Sequence, residues 1–181
     1  QLGRVLNALD NGPHAENTIV VLFSDHGYHL GEKQRWSKFS LWERTTHVPL
    51  IISVPKGVQG KSHKPVELLS LYPTLIDLCG LPANPKLEGV SLRPLLDNPN
   101  ADWEHVAVST LGQNNHAVRD QRWRYIRYVD GSEELYDHWA DPNEWTNLAV
   151  EEPTPSHAEV IMRLKKHLPK TNLPQQKDKP K

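Results

Sequence analysis

Two apolar runs, separated by a long polar stretch, constrain the fold of this chain more than any other feature. Residues 18–24 (TIVVLFS) and 49–54 (PLIISV) are almost continuously hydrophobic, which is typical of strands covered on both faces. The stretch between them, residues 25–47, is too long for a hairpin turn and is rich in His, Lys, Arg and Trp. With a helix predicted over residues 71–79, the pattern favours an α/β fold in which helices pack on a mainly parallel sheet.

After Pro99 the sequence changes to short segments with alternating character. Strands are predicted at residues 104–109 and 116–120. Residues 122–137 predict a β-hairpin, in which the Asp130-Gly131 pair supplies a turn with positive φ. One arm of the hairpin reads RWRYIRY. This mixture of basic and aromatic residues could indicate nucleic-acid stacking. A strand with Trp123 and Tyr125 inward and the arginines outward is the favoured interpretation.

A final helix is predicted to start near Ser156, because Val160, Leu164 and Leu168 lie on one helical face. The sequence therefore divides into a first part, residues 1–99, and a small antiparallel subdomain with its helix, residues 100–170. Residues 171–181 are polar and rich in Lys and Pro, and we predict a disordered tail there.

The chain opens in the middle of a helical pattern. Leu2, Val5, Leu6 and Leu9 lie on one helical face, and nothing ahead of Leu2 resembles an N-cap. Two interpretations fit: a short helix with a frayed start, or the C-terminal piece of a longer protein. We expect the second.

The composition excludes several classes of function. The 181 residues carry a net charge of −1, which argues against a nucleic-acid binder, because such proteins usually show a clear basic excess. No apolar run approaches the roughly 20 residues of a membrane helix, so no membrane partner is predicted. The single cysteine, Cys79, excludes an intrachain disulfide and a cysteine-based zinc site, and we expect it to be a small buried residue.

A candidate metal site follows the first apolar run. Asp25 and His26 come directly after this predicted strand, and ligands in open α/β sheets bind beyond the carboxyl ends of strands. The pair can offer a carboxylate oxygen and an imidazole nitrogen to one ion, while Gly27 allows a sharp turn. A helix N-cap with a surface histidine is an equally good interpretation. Two ligands are also fewer than the six or so that a hard divalent cation requires.

The motifs in this polar stretch resemble those of the sulfatase family, within the alkaline-phosphatase-like superfamily. They are S-D-H-G at 24–27, L-G-E at 30–32, W-S-K at 36–38, L-W-E at 41–43 and T-H-V-P-L-I at 46–51. Their order and spacing are most similar to the iduronate-2-sulfatase-like and choline-sulfatase-like branch. The likeness continues at residues 66–80, 87–92 and 141–148.

The resemblance implies a fold and a division of the chain. Residues 1–99 would be the C-terminal portion of a sulfatase α/β core, a parallel-sheet sandwich of the alkaline-phosphatase-like type. Residues 100–170 would be a small antiparallel β subdomain with a C-terminal helix. The compartments common among such proteins are lysosomal, periplasmic or secreted.

The resemblance also implies the roles of particular residues. Asp25 and His26 match metal ligands of the family, whose ion is usually calcium. Lys38 matches the lysine that contacts the sulfate group, where a cation would stabilise the negative charge that grows on the leaving and sulfuryl oxygens. His29 is expected either to line the substrate mouth or to be a surface residue. His116 is expected to touch the sugar or acid group of the substrate.

One part of the family's machinery is missing from the sequence. Sulfatases use a formylglycine nucleophile made from the Cys or Ser of a C/S-x-P-x-R segment, and no such segment occurs here. The expected function is metal-dependent hydrolysis of a sulfate ester, with a sulfated small molecule or glycan as partner. The nucleophile is expected in a missing N-terminal part, so this chain alone is predicted to be inactive and to bind metal weakly.

Two other functions stay open at this stage. Phosphodiesterases and phosphonate hydrolases of the same superfamily also place an Asp-His pair at this strand end, often with two zinc or manganese ions. Alternatively, the six tryptophans could serve a carbohydrate-binding module without catalysis.

Overall fold

The fold consists of two antiparallel sheets with helices around them, in a computed structural model that describes residues 1–174. Of the tail predicted at residues 171–181, residues 175–181 lie outside the described part. In chain order the elements are α1 (Leu2–Asp10), β1 (Val20–Phe23), α2 (Glu43–Thr46), β2 (Leu50–Ser53), α3 (Leu71–Leu78), α4 (Arg93–Asp97), β3 (Ala107–Thr110), β4 (His116–Arg119), β5 (Trp123–Arg127), β6 (Glu133–Asp137) and α5 (Pro155–Lys165).

The first sheet differs from the expected parallel arrangement. Strands β1 and β2 pair antiparallel, with Phe23 opposite Leu50 and Val20 opposite Ser53, and no parallel pair occurs among residues 1–174. The prediction of a mainly parallel sheet is therefore wrong for the strands described. The expected cover on both faces is also absent from the described residues, since Phe23 is 50% and Ile51 60% exposed. Hydrophobic character by itself carries no information on the direction of a neighbouring strand. Here the connection folds back as a loop instead of crossing over as a helix.

The second sheet is a four-stranded antiparallel meander in the order β3-β4-β5-β6. The predicted hairpin is confirmed: β5 pairs with β6, from Trp123 opposite Asp137 to Arg127 opposite Glu133. In the turn between them Gly131 has a φ of 87°, and the Asp130 carboxylate accepts a hydrogen bond from the Ser132 backbone N–H at 2.9 Å. This is the residue chemistry that a turn with positive φ requires.

The two faces of this sheet pack against different parts of the chain, because side chains alternate along a strand. One face carries Val118, Tyr125 and Leu135, which form a fully buried cluster with Leu164 of α5. The helix α5 begins as predicted, with Thr154 as an N-cap whose hydroxyl accepts from the His157 backbone N–H at 3.2 Å.

The opposite face covers the loop between β1 and β2. Ala117, Ile126 and Tyr136 pack against the buried side chain of Leu41, with Trp42 alongside. The sheet therefore supports the polar stretch that carries most of the predicted site residues.

The fold corrects one smaller expectation and confirms another. Cys79 is exposed at the end of α3, because the helix stops there at Gly80, whose φ is 63°. The helix α1 forms as predicted without a side-chain N-cap and buries none of its residues. Among residues 1–174 we find no helix whose length and apolar character would let it span a bilayer.

Candidate active site

The turn after β1 is built for a close approach to α2. The Gly27 backbone N–H donates to the Thr45 carbonyl at 2.9 Å. A Cβ atom at Gly27 would lie 2.0 Å from the Arg44 carbonyl oxygen, so only glycine fits. No helix follows Asp25, which rules out the alternative interpretation of this residue as an N-cap.

Asp25, His26 and Lys38 come together at this turn, although twelve residues separate His26 from Lys38. The Nδ1 atom of His26 lies 2.8 Å from the Gly27 carbonyl oxygen. A carbonyl can only accept, so Nδ1 carries the proton and Nε2 presents its lone pair. Nε2 lies 3.0 Å from Lys38 Nζ and 3.6 Å from a carboxylate oxygen of Asp25.

These donors fit one part of a metal coordination shell. An imidazole whose other nitrogen is held by a backbone carbonyl is the usual arrangement of a metal-binding histidine, and the exposed Asp25 carboxylate supplies a hard oxygen. Calcium takes six to eight oxygen ligands, so Asp25 and His26 would hold an ion only together with other groups. Lys38 Nζ occupies the space beside Nε2 in the structure described.

His29 lies in the interior, 1% exposed. Its Nε2 atom lies 2.9 Å from the Ser40 hydroxyl, and its ring meets the Trp42 ring edge-on with centroids 5.8 Å apart. Burial lowers the pKa of His29. These contacts join His29 to Ser40 and Trp42 of the same loop, and none of them involves Asp25, His26 or Lys38.

His116 is also buried, at the start of β4. Both ring nitrogens are engaged: Nδ1 lies 2.9 Å from the Thr110 hydroxyl and Nε2 lies 2.5 Å from the Asn172 side-chain oxygen. The structure thus places His116 against the segment that follows α5, and its contact with a substrate stays a prediction.

Lys33 lies in the same loop, and its contacts with the second sheet were not apparent from the sequence. The loop adopts left-handed backbone conformations at Lys33 and Gln34, with φ of 51° and 56°. Lys33 Nζ donates to the Tyr136 hydroxyl at 3.0 Å and lies 4.7 Å and 4.5 Å from the ring centroids of Trp42 and Tyr136. Burial lowers the pKa of this amine. The aromatic contacts tie a strained turn to β6, and strained turns are common near functional sites.

A buried network of ionic groups forms the second attachment of the loop. Arg124 of β5 is 2% exposed, which contradicts the expectation that the arginines of this strand face solvent. Its guanidinium donates to the Leu41 carbonyl at 3.1 Å, pairs with Glu43, and lies 2.6 Å from a carboxylate oxygen of Glu144. Glu144 also accepts from the Glu43 backbone N–H at 2.9 Å, so the loop, β5 and the segment after β6 are joined.

The same network contains the only cluster of acidic and histidine side chains among residues 1–174 with the spacing of a metal site. It comprises Glu43, His138 and Glu144. The guanidinium of Arg124 already pairs with both carboxylates, and His138 Nε2 lies 2.9 Å from Glu144. Because cations of the protein neutralise the acids, we interpret the cluster as an ion-pair network and not as a metal site. Glu43 and Glu144 lie in the motif segments L-W-E and D-P-N-E-W, and these motifs were the sequence signal that could have pointed to the network.

The network makes stability depend on pH in both directions. Burial opposes ionisation of Glu43 and Glu144, but hydrogen bonds from His47 and His138 and the charge of Arg124 outweigh it, so both pKa values are lowered. The two carboxylates therefore contribute fully to the free energy of unfolding above pH 4.5, their ordinary pKa, and this contribution is lost as the pH falls. The hydrogen bond to Glu43 raises the pKa of His47. Protonated His47 therefore contributes fully to the free energy of unfolding below pH 6.5, its ordinary pKa, and this contribution is lost as the pH rises.

We therefore expect the free energy of unfolding to be greatest between about pH 4.5 and 6.5, the ordinary values of these groups. Urea unfolding at a series of pH values measures it. Glu43→Gln should flatten both arms of the profile, since it removes one acid and the partner of His47. An unchanged profile in this variant would contradict the assignment.

Known proteins resemble this chain in sequence and in fold. A model of the sulfatase family matches residues 1–81. A sulfatase of Formosa agariphila is 49% identical over 173 residues, which cover 95% of this chain and 34% of that protein. Arylsulfatase K of Mus musculus is 34% identical over 84% of this chain and 30% of its own length. The chain belongs to the sulfatase family, and it spans about a third of the length of these relatives.

Solved structures show the same fold. BT4656, in complex with its substrate D-glucosamine-2-N,6-O-disulfate, superposes with a TM-score of 0.76 at 29% identity, over 91% of this chain and 36% of that one. BT1596, a 2-O GAG sulfatase, superposes with a TM-score of 0.77 at 32% identity, over 91% of this chain and 38% of that one. A phosphonate monoester hydrolase from Silicibacter pomeroyi superposes with a TM-score of 0.77 at 27% identity, over 91% of this chain and 36% of that one. The finer assignment to the iduronate-2-sulfatase-like and choline-sulfatase-like branch stays a prediction.

Proposed function

We propose that this chain provides the Asp25–His26–Lys38 edge of the active site in a metal-dependent sulfate ester hydrolase. The observation that carries the proposal is the position of His26 Nε2 between the Lys38 ammonium and the Asp25 carboxylate, 3.0 and 3.6 Å away. One nitrogen lone pair, one hard oxygen and one cation thus converge at the end of β1. This combination suits an anionic ester bound beside a cation.

Each residue has a chemical task in this proposal. Asp25 and His26 would hold a divalent ion, most simply Ca²⁺, which when bound polarises the sulfuryl oxygens. Lys38 would lie against the sulfate group and stabilise the charge that develops as the S–O bond to the leaving group breaks. The chain contains no C/S-x-P-x-R segment, so the attacking group is assigned to a part of the active site that these residues do not supply.

A sulfated carbohydrate is the proposed substrate class. Two structural neighbours support it, because one is bound to a disulfated glucosamine and another is described as a GAG sulfatase. We also propose that residues 1–99 belong to the α/β core, and that residues 100–170 form the subdomain that braces the site loop through Lys33 and Arg124.

The metal part of the proposal predicts weak Ca²⁺ binding by the chain alone, with a dissociation constant of about 1 mM or weaker, because two ligands fill only part of the shell. Titration of ¹⁵N-labelled chain with CaCl₂ should shift the amide signals of residues 25–27. Asp25→Asn should abolish the shift, whereas Asp10→Asn on the exposed face of α1 should leave it intact. Equal shifts in both variants would contradict the assignment of Asp25. Rapid turnover of an aryl sulfate by the chain alone would contradict the statement that these residues do not supply the attacking group.

A phosphonate monoester hydrolase is the second candidate, favoured by the TM-score of 0.77 to such an enzyme. The W-S-K segment that carries Lys38 favours the sulfatase. Parallel assays with an aryl sulfate and a phenyl phosphonate ester, in the chimera described in the Discussion, distinguish the two functions by the ratio of their kcat/KM values.

A further inference from the structure

An exposed tryptophan lies on the wall of the cleft that contains the candidate active site. The cleft has a volume of about 1380 Å³ and includes Asp25, His26 and Lys38 in its lining together with Trp139. Trp139 follows β6 and is 70% exposed. An indole offers a large apolar ring with a polar N–H at one edge, which suits a ligand with an apolar face when the ring is held in place.

The ring of Trp139 is held by an arginine clamp. The Arg122 guanidinium lies 4.8 Å from the Trp139 ring centroid and 4.6 Å from that of Trp123. Asp137 fixes the guanidinium with two contacts, 3.0 Å to Nε and 2.6 Å to a terminal nitrogen. The same carboxylate accepts from the Trp139 backbone N–H at 3.1 Å. One residue therefore positions both the backbone of Trp139 and the cation beneath its ring.

This arrangement prepares a flat apolar surface before any ligand binds. Because Arg122 and Asp137 neutralise each other, the platform presents little net charge, and the ring loses little conformational freedom when a ligand stacks on it. Gln121 lines the same cleft, and a glutamine side chain has an amide donor and acceptor. A planar ring beside a polar amide suits a sugar, whose C–H face is apolar and whose edges carry hydroxyl groups.

We infer that Trp139 is a carbohydrate-stacking subsite for a pyranose unit that adjoins the sulfated one. The inference rests on the proposed function, since it takes the Lys38 end of the cleft as the place where the sulfate group binds. It extends that proposal, because it makes the ligand an oligosaccharide that occupies at least two places along the cleft. A monosaccharide would reach only the Lys38 end.

Ligand length separates this inference from the proposed function. The probes are glucosamine-2-N,6-O-disulfate and a heparin-type hexasaccharide built on the same unit, titrated into ¹⁵N-labelled chain at 0.15 M salt. The wild-type chain should bind the hexasaccharide more tightly. Trp139→Ala should weaken hexasaccharide binding about tenfold, which corresponds to about 1.4 kcal/mol, and should change monosaccharide binding less than twofold. Trp139→Phe should recover most of the loss.

Trp145→Ala is the matched control. Trp145 is 60% exposed and is absent from the cleft lining, so its removal should leave binding of both probes unchanged. Equal effects of the Trp139 and Trp145 variants on the hexasaccharide would overturn the inference, and so would a wild-type chain that does not prefer it. Failure of the proposed function gives a different result: Lys38→Ala would then leave monosaccharide binding unchanged.

Discussion

Replacing Glu144 by Gln is expected to destabilise the chain by about 3–5 kcal/mol, because it removes one partner of a buried ion pair and keeps the other. Glu144 is 1% exposed. One of its oxygens lies 2.6 Å from Arg124 Nε and 2.9 Å from His138 Nε2, and the other accepts from the Glu43 backbone N–H. Without the carboxylate, the Arg124 guanidinium stays buried with Glu43 as its remaining acidic partner.

Urea unfolding of the 181-residue chain at pH 6 measures this effect. Asp97→Asn is the matched control, because it also removes an acid from an ion pair with an arginine, at 3.7 Å, but at the surface. Exposed pairs of this kind contribute about 0–1 kcal/mol. The double variant Glu144→Gln/Arg124→Met should be less destabilised than Glu144→Gln alone, because it removes the guanidinium that has lost its Glu144 partner, while Glu43 keeps its contacts with Arg119 and His47. Equal destabilisation by Glu144→Gln and Asp97→Asn would show that the network does not attach the loop to the sheet.

Replacing Lys38 by Ala should have the largest effect on catalysis. The test uses a chimera in which this chain replaces the matching third of the Formosa agariphila sulfatase, which is 49% identical to it. If Lys38 stabilises charge in the transition state, its loss should lower kcat/KM for an aryl sulfate by at least about a hundredfold, the factor typical for one such group. Much of the loss should fall on kcat, because the interaction strengthens as charge develops.

Two control variants distinguish the loss of the Lys38 side chain at this position from a general loss of positive charge or of folding. Lys38→Arg retains a cation with a different shape and should recover part of the activity. Lys86→Ala removes an exposed lysine outside the cleft lining and should behave like the parent chimera. A Lys38→Ala chimera with undiminished kcat/KM would contradict the role of Lys38. A folded parent chimera without sulfate ester hydrolysis would contradict the proposed function itself.

Local patterns were sufficient for the elements whose structure depends on neighbouring residues. The hairpin β5–β6 was predictable because Asp130-Gly131 defines its turn and the strands alternate. The helix α5 was predictable because Val160 and Leu164 lie on one face and pack in the same cluster, which Leu168 joins just beyond the end of the helix. The grouping of Asp25 with His26 followed from adjacency in the chain.

The sites that local patterns missed depend on contacts between distant segments. Alternation along β5 correctly separated Tyr125 from Arg124, but it could not show that the face of Arg124 is covered by Leu41 and Glu43 of a loop more than 80 residues earlier. The same limit applies to His29, whose burial follows from the packing of the loop against the sheet.

By itself, the sequence determined the family, the motif segment that carries Asp25, His26 and Lys38, and the hairpin β5–β6, while the division of the chain at residue 99 stays a prediction. Only the tertiary structure decided the antiparallel direction of β1 and β2, the interior position of His29, and the ion pairs that join Glu43 to Arg124. The physical reason is that hydrophobic periodicity reports which side of an element is covered. What covers it, and which charges meet there, depends on how segments far apart in the chain pack together.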